Sequence, residues 1–213
     1  MNRQSTKTNK SILFALTVSA ILSVANAGEI TSNFDASLEG WGITSDGDLT
    51  HIPAGGNPGG FAQLTDTGGA NYAAFAPAKF LGDLSSFNGG TLSFDVLRVS
   101  GCCNPDPDFG RVTLSGSAGS VTLDFVPGAP GYSWSTYDAP MTAQAWGLSE
   151  ATWQSLLADV QSIRIALEAY GGSDDTGLDN VTLFAEDIDS DGDGILDDED
   201  NCPNSDLSST ISI

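Results

Sequence analysis

The segment Thr91-Leu92-Ser93-Phe94-Asp95-Val96 alternates polar and apolar residues without interruption. A period of two is typical of a β-strand that buries one face and exposes the other. The same alternation recurs at 111–114, 120–125, 162–167 and 180–183, and Gly, Pro, Asn or Asp residues bound these segments. Many short, half-buried strands with frequent turns between them predict an antiparallel β-sandwich.

One segment departs from this period. Residues 149–160 place apolar side chains at helical spacing from Trp153 onward. Ser149 is a good N-cap, Glu150 lies favourably in the first turn, and Leu148 and Trp153 have the spacing of a hydrophobic staple. We expect a single short helix that covers one end of the sandwich and buries its Trp and Leu side chains.

Composition and charge limit the function classes. The 213 residues carry 7 Lys and Arg against 28 Asp and Glu, a formal net charge of −21. A field of this sign repels phosphates, so a nucleic-acid-binding protein is excluded. With 40% hydrophobic residues, the chain has enough apolar surface to fold into a core.

Residues 1–27 have the features of a secretory signal peptide. A positively charged start precedes an apolar stretch at 12–24, and Ala25-Asn26-Ala27 supplies small residues at the cleavage spacing. A membrane anchor is the alternative, but roughly 20 apolar residues are needed to span a bilayer and this stretch is shorter. We therefore expect a mature chain that begins at Gly28, has no membrane span, and is secreted or held at the cell surface.

The acidic segment 187–213 differs in composition from 28–186 and forms a second unit. Its run 189–200 places oxygen-bearing side chains at loop positions 1, 3, 5, 9 and 12, glycine at 6 and a free carbonyl at 7. Ca²⁺ takes about six to eight oxygen ligands, and the glycine lets the chain turn around the ion. We predict a Ca²⁺ site formed by Asp189, Asp191, Asp193, the carbonyl of Ile195, Asp197 and Asp200.

A merely solvated acidic tail is the alternative. Carboxylates about 5 Å apart repel by about 1 kcal/mol per pair even with water-like screening, whereas a divalent cation reverses the sign of this interaction. We therefore expect the segment to be open without calcium and compact with it.

The run from Asp187 through Pro203 resembles a thrombospondin type 3 repeat, in which Asp-rich loops wrap calcium and an Asp-Asn-Cys-Pro segment links to the next repeat through disulfides. The resemblance implies ligand roles for Asp187 and Asp198 as well, which we leave unassigned. No further repeat follows in this sequence, so we expect the chain to be a truncated version of a longer protein.

Five elements of residues 28–186 resemble the laminin domain IV (laminin B) module: 34–41, with Phe34-Asp35 and Gly40-Trp41, then 55–60, 76–83, 89–95 and 178–181. The resemblance implies a jelly-roll sandwich like that of galactose-binding and carbohydrate-binding modules, and a role in adhesion or matrix contact. In modules of this shape an ion often ties the first strand to the last. Two interpretations stay open for Asp35, Asp48 and Asp179. They form a second Ca²⁺ site, or they cap turns.

No residue pattern points to catalysis. His51 is the only histidine, and it lies in a Gly/Pro-rich segment without a Ser or Cys motif. We predict a secreted, calcium-binding, non-catalytic module for adhesion or matrix contact, whose partner is an extracellular protein or glycan. The alternative is a carbohydrate-binding accessory protein that recognises a polysaccharide through the jelly roll. Four aromatic residues offer sugar-stacking faces, although burial in the core is favoured for them: Trp41, Tyr72, Trp134 and Tyr137.

Three cysteines leave one unpaired. Cys102 and Cys103 are adjacent in a loop. Either they bond to each other in a strained small ring and leave Cys202 free, or one of them pairs with Cys202 and ties the acidic segment to the sandwich. We favour the first pairing.

Overall fold

The computed structural model describes residues 28–69, 71–124 and 128–186. In these ranges two antiparallel sheets pack face to face around one hydrophobic core. The strands are β1 Glu29–Ser32, β2 Gly42–Ile43, β3 Gly47–Ile52, β4 Phe61–Asp66, β5 Ala73–Phe75, β6 Thr91–Ser100, β7 Val112–Gly116, β8 Gly119–Leu123, β9 Ser135–Pro140, β10 Val160–Ala166 and β11 Asp175–Phe184.

The two sheets differ in size. The six-stranded sheet has the order β3-β4-β11-β6-β9, and β1 also pairs with β11. The five-stranded sheet has the order β2-β5-β10-β7-β8. Sequential strands such as β4 and β5 lie in different sheets, which makes the architecture a jelly-roll sandwich, and the predicted fold class is confirmed.

The five alternating segments fall in β6, β7, β8, β10 and β11, as predicted. Strand β6 shows why: Leu92, Phe94 and Val96 point into the core and are at most 1% exposed. The polar residues between them lie on the other face of the sheet, because successive side chains of a strand point to opposite sides.

Strand β11 carries an irregularity that the pattern did not reveal. Its pairing with β6 shifts register between Asp179 and Thr182, and Asn180 has a φ of 45°. The first half of β11 pairs with β4 and the second half with β1. The bulge therefore lies where one neighbouring strand gives way to the other.

The predicted helix is present as α1, Glu150–Leu157. The Ser149 hydroxyl accepts the Thr152 N–H at 3.2 Å, which confirms the N-cap, and Trp153, Leu156 and Leu157 are buried. The helix ends earlier than the predicted 160, because Val160 begins β10 and exchanges two backbone hydrogen bonds with Gly82. Within the described ranges, no helix combines the length and the apolar character needed to cross a membrane.

Candidate functional site

The outer face of the five-stranded sheet carries a shallow pocket of about 180 Å³. Polar side chains from β7, β8, β10 and the adjoining loops line it, and Ala166 also contributes. These polar residues are Asn71, Asp108, Arg111, Thr113, Thr122 and Arg164.

Strand register explains how these residues meet. Phe75, Arg164, Thr113 and Thr122 lie directly opposite one another across β5, β10, β7 and β8. Because neighbouring strands are about 4.8 Å apart, the row is about 14 Å long. The Thr113 and Thr122 hydroxyls contact each other at 2.8 Å. The face therefore presents a line of hydroxyls with a guanidinium and a half-buried aromatic ring at one end.

The two arginines of the pocket differ in their partners. Arg111 donates to Asp124 at 2.7 and 2.9 Å and forms a second ion pair with Asp108, so its charge is compensated. Arg164 is half-buried, and its guanidinium makes no ion pair or hydrogen bond with the part of the chain that the structure describes. A guanidinium offers five N–H donors in a planar fork. Arg164 is thus a donor available to a ligand.

The four candidate aromatic residues are mainly core residues, as favoured. Trp41 and Tyr72 are buried. Trp134 packs edge-on against Phe61, with ring centroids 5.5 Å apart, and donates to the Gly55 carbonyl at 3.0 Å. Tyr137 is half-buried and packs edge-on against two phenylalanine rings.

Within the part of the chain that the structure describes, two aromatic residues outside the four candidates are exposed, Phe184 and Tyr132. Tyr132 is 64% exposed, and the Arg98 guanidinium lies 3.7 Å from the centre of its ring. The available signal for Tyr132 was its position between Gly131 and Ser133, outside any alternating apolar segment.

On the six-stranded sheet, two aspartates hold the glycine-rich loop 53–60. Asp179 is fully buried and accepts the backbone N–H groups of Asn57 at 2.6 Å and Asn180 at 2.8 Å. Asp95, directly opposite it on β6, accepts from the side-chain amides of the same two asparagines at 3.0 and 2.8 Å. Burial raises the pKa of the Asp179 carboxyl, and the neighbouring charges of Asp95 and Asp35 add to this.

This geometry bears on the three aspartates considered for a second Ca²⁺ site. Asp35 and Asp179 hold the same loop, since Asp35 accepts the Gly60 N–H at 3.4 Å, whereas Asp48 is exposed on β3, opposite Thr65. Among the described residues, no three His, Cys, Asp or Glu side chains are grouped to hold a metal ion. The hydrogen bonds of Asp35 and Asp179 are those of loop-capping residues. Asp95 is the third aspartate that hydrogen-bonds this part of the structure, and it was not among the residues predicted from the sequence.

His51 is also engaged by the backbone. Its Nε2 lies 2.8 Å from the carbonyl oxygen of Phe34, a residue with a φ of 50°. The ring therefore supports the turn that follows β1.

Two further acidic side chains, those of Asp174 and Glu168, are buried beside Tyr72. Asp174 is 2% exposed and accepts the Ala169 N–H at 2.8 Å and the hydroxyl of the buried Tyr72 at 3.2 Å. Glu168, 9% exposed, accepts the Tyr72 N–H at 3.3 Å. Burial raises the pKa of both carboxyl groups, and the nearby charge of Asp66 adds to this.

These raised pKa values predict a pH dependence of stability. The folded-state pKa values of Glu168 and Asp174 exceed the unfolded values of about 4.3 and 3.9, so their stabilising contribution is complete below about pH 4 and is lost as pH rises through the folded values. The Glu168→Gln variant keeps an acceptor for Tyr72. It should therefore exceed the wild type in free energy of unfolding at pH 7.5, with the difference vanishing near pH 4 in urea titrations. Asp138→Asn, exposed on β9, is the control, and a Glu168→Gln difference that does not vary with pH would contradict the prediction.

The predicted calcium ligands Asp189, Asp191, Asp193, Ile195, Asp197 and Asp200 lie outside the described residues, as do residues 1–27 and Cys202. The thrombospondin-type segment stays a prediction.

Comparisons with known proteins bear on the sandwich. The L4b domain of human laminin alpha-2 has a TM-score of 0.55 at 9% identity, covering 76% of this chain and 100% of that domain. An exo-β-agarase has a TM-score of 0.50 at 13% identity, covering 75% of this chain and 26% of the agarase. A family 11 carbohydrate-binding module of a cellulosomal cellulase of Clostridium thermocellum has a TM-score of 0.48 at 17% identity, covering 76% of this chain and 97% of the module. Identities this low describe the fold alone.

Comparison of the sequence with protein-family models assigns the chain to a family. No curated protein matches the chain significantly. The model of the Laminin B (Domain IV) family matches residues 74–192, more than half of the chain, and this range holds β6 to β11, α1 and most of the polar face of the five-stranded sheet. The predicted resemblance is confirmed for the sandwich, and the chain belongs to the laminin B (domain IV) family.

Proposed function

We propose that this protein is an exported, calcium-binding, non-catalytic module of extracellular-matrix type, which attaches to its partner through the polar face of the five-stranded sheet. Membership of the laminin B family supports the matrix role. The observation that carries the proposed binding face is the guanidinium of Arg164 in the pocket, which has no ion-pair or hydrogen-bond partner among the residues that the structure describes. The other described Lys and Arg side chains have partners: Lys79 pairs with Glu39, Arg98 with Tyr170, and Arg111 with two aspartates.

A saccharide is the partner class that this face favours. Sugars present many hydroxyl groups, and hydroxyl side chains that both donate and accept suit them. Thr113 and Thr122 provide such groups beside Arg164, and the half-buried ring of Phe75 adds an apolar surface at the end of the row. The net charge of −21 opposes the approach of a polyanion. We therefore favour a neutral polysaccharide over an acidic one.

Replacing Arg164 tests this binding face. Arg164→Gln should weaken binding to the neutral polysaccharide that the wild type prefers by about tenfold or more, since a hydrogen bond from a charged group contributes about 1.5–3 kcal/mol. Affinity electrophoresis against neutral β-glucan, xylan and agarose, with alginate as the acidic comparison, measures the effect. Lys79→Gln removes the same charge away from the pocket and should bind as the wild type does.

Three outcomes would contradict the assignment of a neutral polysaccharide. The first is equal retardation of the wild type and Arg164→Gln by every polysaccharide. The second is stronger binding to alginate than to neutral polymers, with the charge-matched Lys79→Gln variant weakened as much as Arg164→Gln. The third is a calcium-dependent attachment to matrix protein without sugar selectivity, which would keep the proposed adhesion role but exclude a glycan partner.

Calcium binding is proposed for the segment 187–213. The spacing of Asp189, Asp191, Asp193, Asp197 and Asp200 around the Ile195 carbonyl supports it. Isothermal titration of the mature chain with CaCl₂ should give a Kd of about 0.1–1 mM. The Asp191→Asn/Asp193→Asn double variant should lose the calcium heat, whereas Asp48→Asn, which changes an exposed strand residue, should keep it. Absence of heat in the wild type, or heat retained by the double variant, would contradict the site.

A further inference from the structure

Two thiols meet in the loop that follows β6. Cys102 and Cys103 are both exposed, and their sulfur atoms lie 3.0 Å apart. A disulfide bond is about 2.05 Å long, so the two side chains are in contact here as thiols. The loop 101–104 therefore presents a dithiol to solvent.

The backbone of this loop holds the two thiols together. Cys103 and Asn104 have φ values of 67° and 46°, two consecutive residues in the left-handed region that favours glycine. Such a conformation persists only where the surroundings determine it. The Asn104 carbonyl accepts the Gly171 N–H at 2.9 Å, and Pro105 forms a β-bridge with Tyr170.

The start of the loop is also constrained. Gly101 has a φ of 101°, and a Cβ at this position would lie 2.5 Å from the Cβ of the buried Asp174. The Tyr132 hydroxyl lies 3.5 Å from the Gly101 carbonyl oxygen. With both ends anchored, the cysteines do not have to search for each other before they react, which raises their effective concentration.

We propose that Cys102 and Cys103 form a redox site that reacts with low-molecular-weight disulfides and closes to a vicinal disulfide, independently of Cys202. The Cys102 thiolate attacks one sulfur of the small disulfide RSSR, the S–S bond breaks, and one RS⁻ leaves and takes a proton. The Cys103 thiolate then attacks Cys102 in the mixed disulfide and releases the second RS⁻. In sum, the dithiol loses two protons and two electrons, and RSSR takes them up to give two RSH.

The contact between the two sulfurs sets the order of attack. The hydrogen bond with Cys102 raises the pKa of the Cys103 thiol, and the charge of a Cys102 thiolate acts in the same direction. The raised pKa makes Cys103 the weaker nucleophile of the pair, because the thiolate is the attacking species. Cys103 keeps its proton until the mixed disulfide on Cys102 has removed that charge, which makes it the resolving thiol.

Oxidised glutathione is a suitable probe. The Cys202→Ser variant keeps the vicinal pair and removes the third thiol. Its reduced mature chain is incubated with oxidised glutathione, quenched in acid and alkylated with N-ethylmaleimide. Intact mass should show the loss of two hydrogens, with neither a glutathione adduct nor N-ethylmaleimide uptake. The wild type should show the same ring and one alkylated thiol, which peptide mapping should assign to Cys202.

Single variants test whether each cysteine needs the other to resolve the mixed disulfide. Cys103→Ser should accumulate a stable glutathione adduct on Cys102, and Cys102→Ser a stable adduct on Cys103, since neither variant keeps a resolving thiol in the loop. Glutathione adducts on both cysteines of the Cys202→Ser chain would overturn the proposal, and so would a wild-type cross-link that maps to Cys202. The order of attack is tested with both thiols present: brief, sub-stoichiometric alkylation of the reduced Cys202→Ser chain should label Cys102 first, and earlier labelling of Cys103 would overturn it.

Discussion

Replacing Trp153 with alanine is expected to lower the free energy of unfolding by about 3–5 kcal/mol. Trp153 is fully buried where α1 covers the end of the sandwich. Its ring stacks on Trp146, with centroids 5.4 Å apart, and its indole N–H donates to the Asn88 side-chain oxygen at 2.7 Å. Alanine would remove these contacts and leave a cavity in a close-packed interior. Since small domains are stable by about 5–15 kcal/mol, the loss is a large part of the total.

Two further variants separate the contributions to this effect. Trp153→Phe keeps an aromatic ring but loses the donor to Asn88, so a smaller loss of about 1–2 kcal/mol is expected. Ser155→Ala, exposed on the same helix, should change stability by less than about 0.5 kcal/mol. Urea titrations followed by far-ultraviolet circular dichroism measure all three, and a Trp153→Ala loss below that of Trp153→Phe would show that α1 does not depend on this side chain.

The second large effect is expected at the loop held by the six-stranded sheet. Asp179→Ala removes the acceptor of two backbone N–H groups, those of Asn57 and Asn180, at a position with no solvent exposure. Hydrogen bonds to a charged group contribute about 1.5–3 kcal/mol each, and burial of the carboxylate offsets part of this, so a net loss of about 2–4 kcal/mol is expected. Loop 53–60 should detach first, because these bonds hold it to the sheet.

Asp179→Asn provides the matched comparison. The amide keeps one oxygen as an acceptor and removes a charge that burial disfavours, so its loss should be well below that of Asp179→Ala. Asp48→Ala, on exposed β3, should be near neutral. Hydrogen exchange adds a local readout, since the Asn57 amide should exchange faster in Asp179→Ala. If Asp179→Ala kept the wild-type stability and the wild-type exchange rate of the Asn57 amide, Asp179 would not hold loop 53–60 to the sheet.

The strands that the sequence predicted best are those in the middle of a sheet. In the alternating segments of β6, β7 and β10 the apolar side chains are buried, so their alternation is strong. Strands β2 and β5 have only two and three residues, too few to show a period, and they form because the longer β10 offers β5 a pairing edge. The helix was predictable because its cap and its apolar stripe are both local.

The candidate site was less predictable than the fold. Arg164 and Thr113 are 51 positions apart in the sequence, yet they lie opposite each other in the five-stranded sheet. Asp95 and Asp179 meet in the same way on the other sheet. Nothing near any of these residues in the chain marks them as a pair, because a strand's own pattern says which face a side chain takes and not which strand lies beside it.

For this protein, the sequence by itself determined the two-faced strands, their turns, the capped helix and the acidic run, since each follows from local spacing and backbone preference. Only the tertiary structure decided that Arg164 has no partner among the described residues while Arg111 has two, that Asp95 joins Asp179 at the glycine-rich loop, and that Tyr132 is exposed. The physical reason is that pairing between distant strands minimises the exposed apolar area of the whole chain, and the polar faces acquire their neighbours as a result.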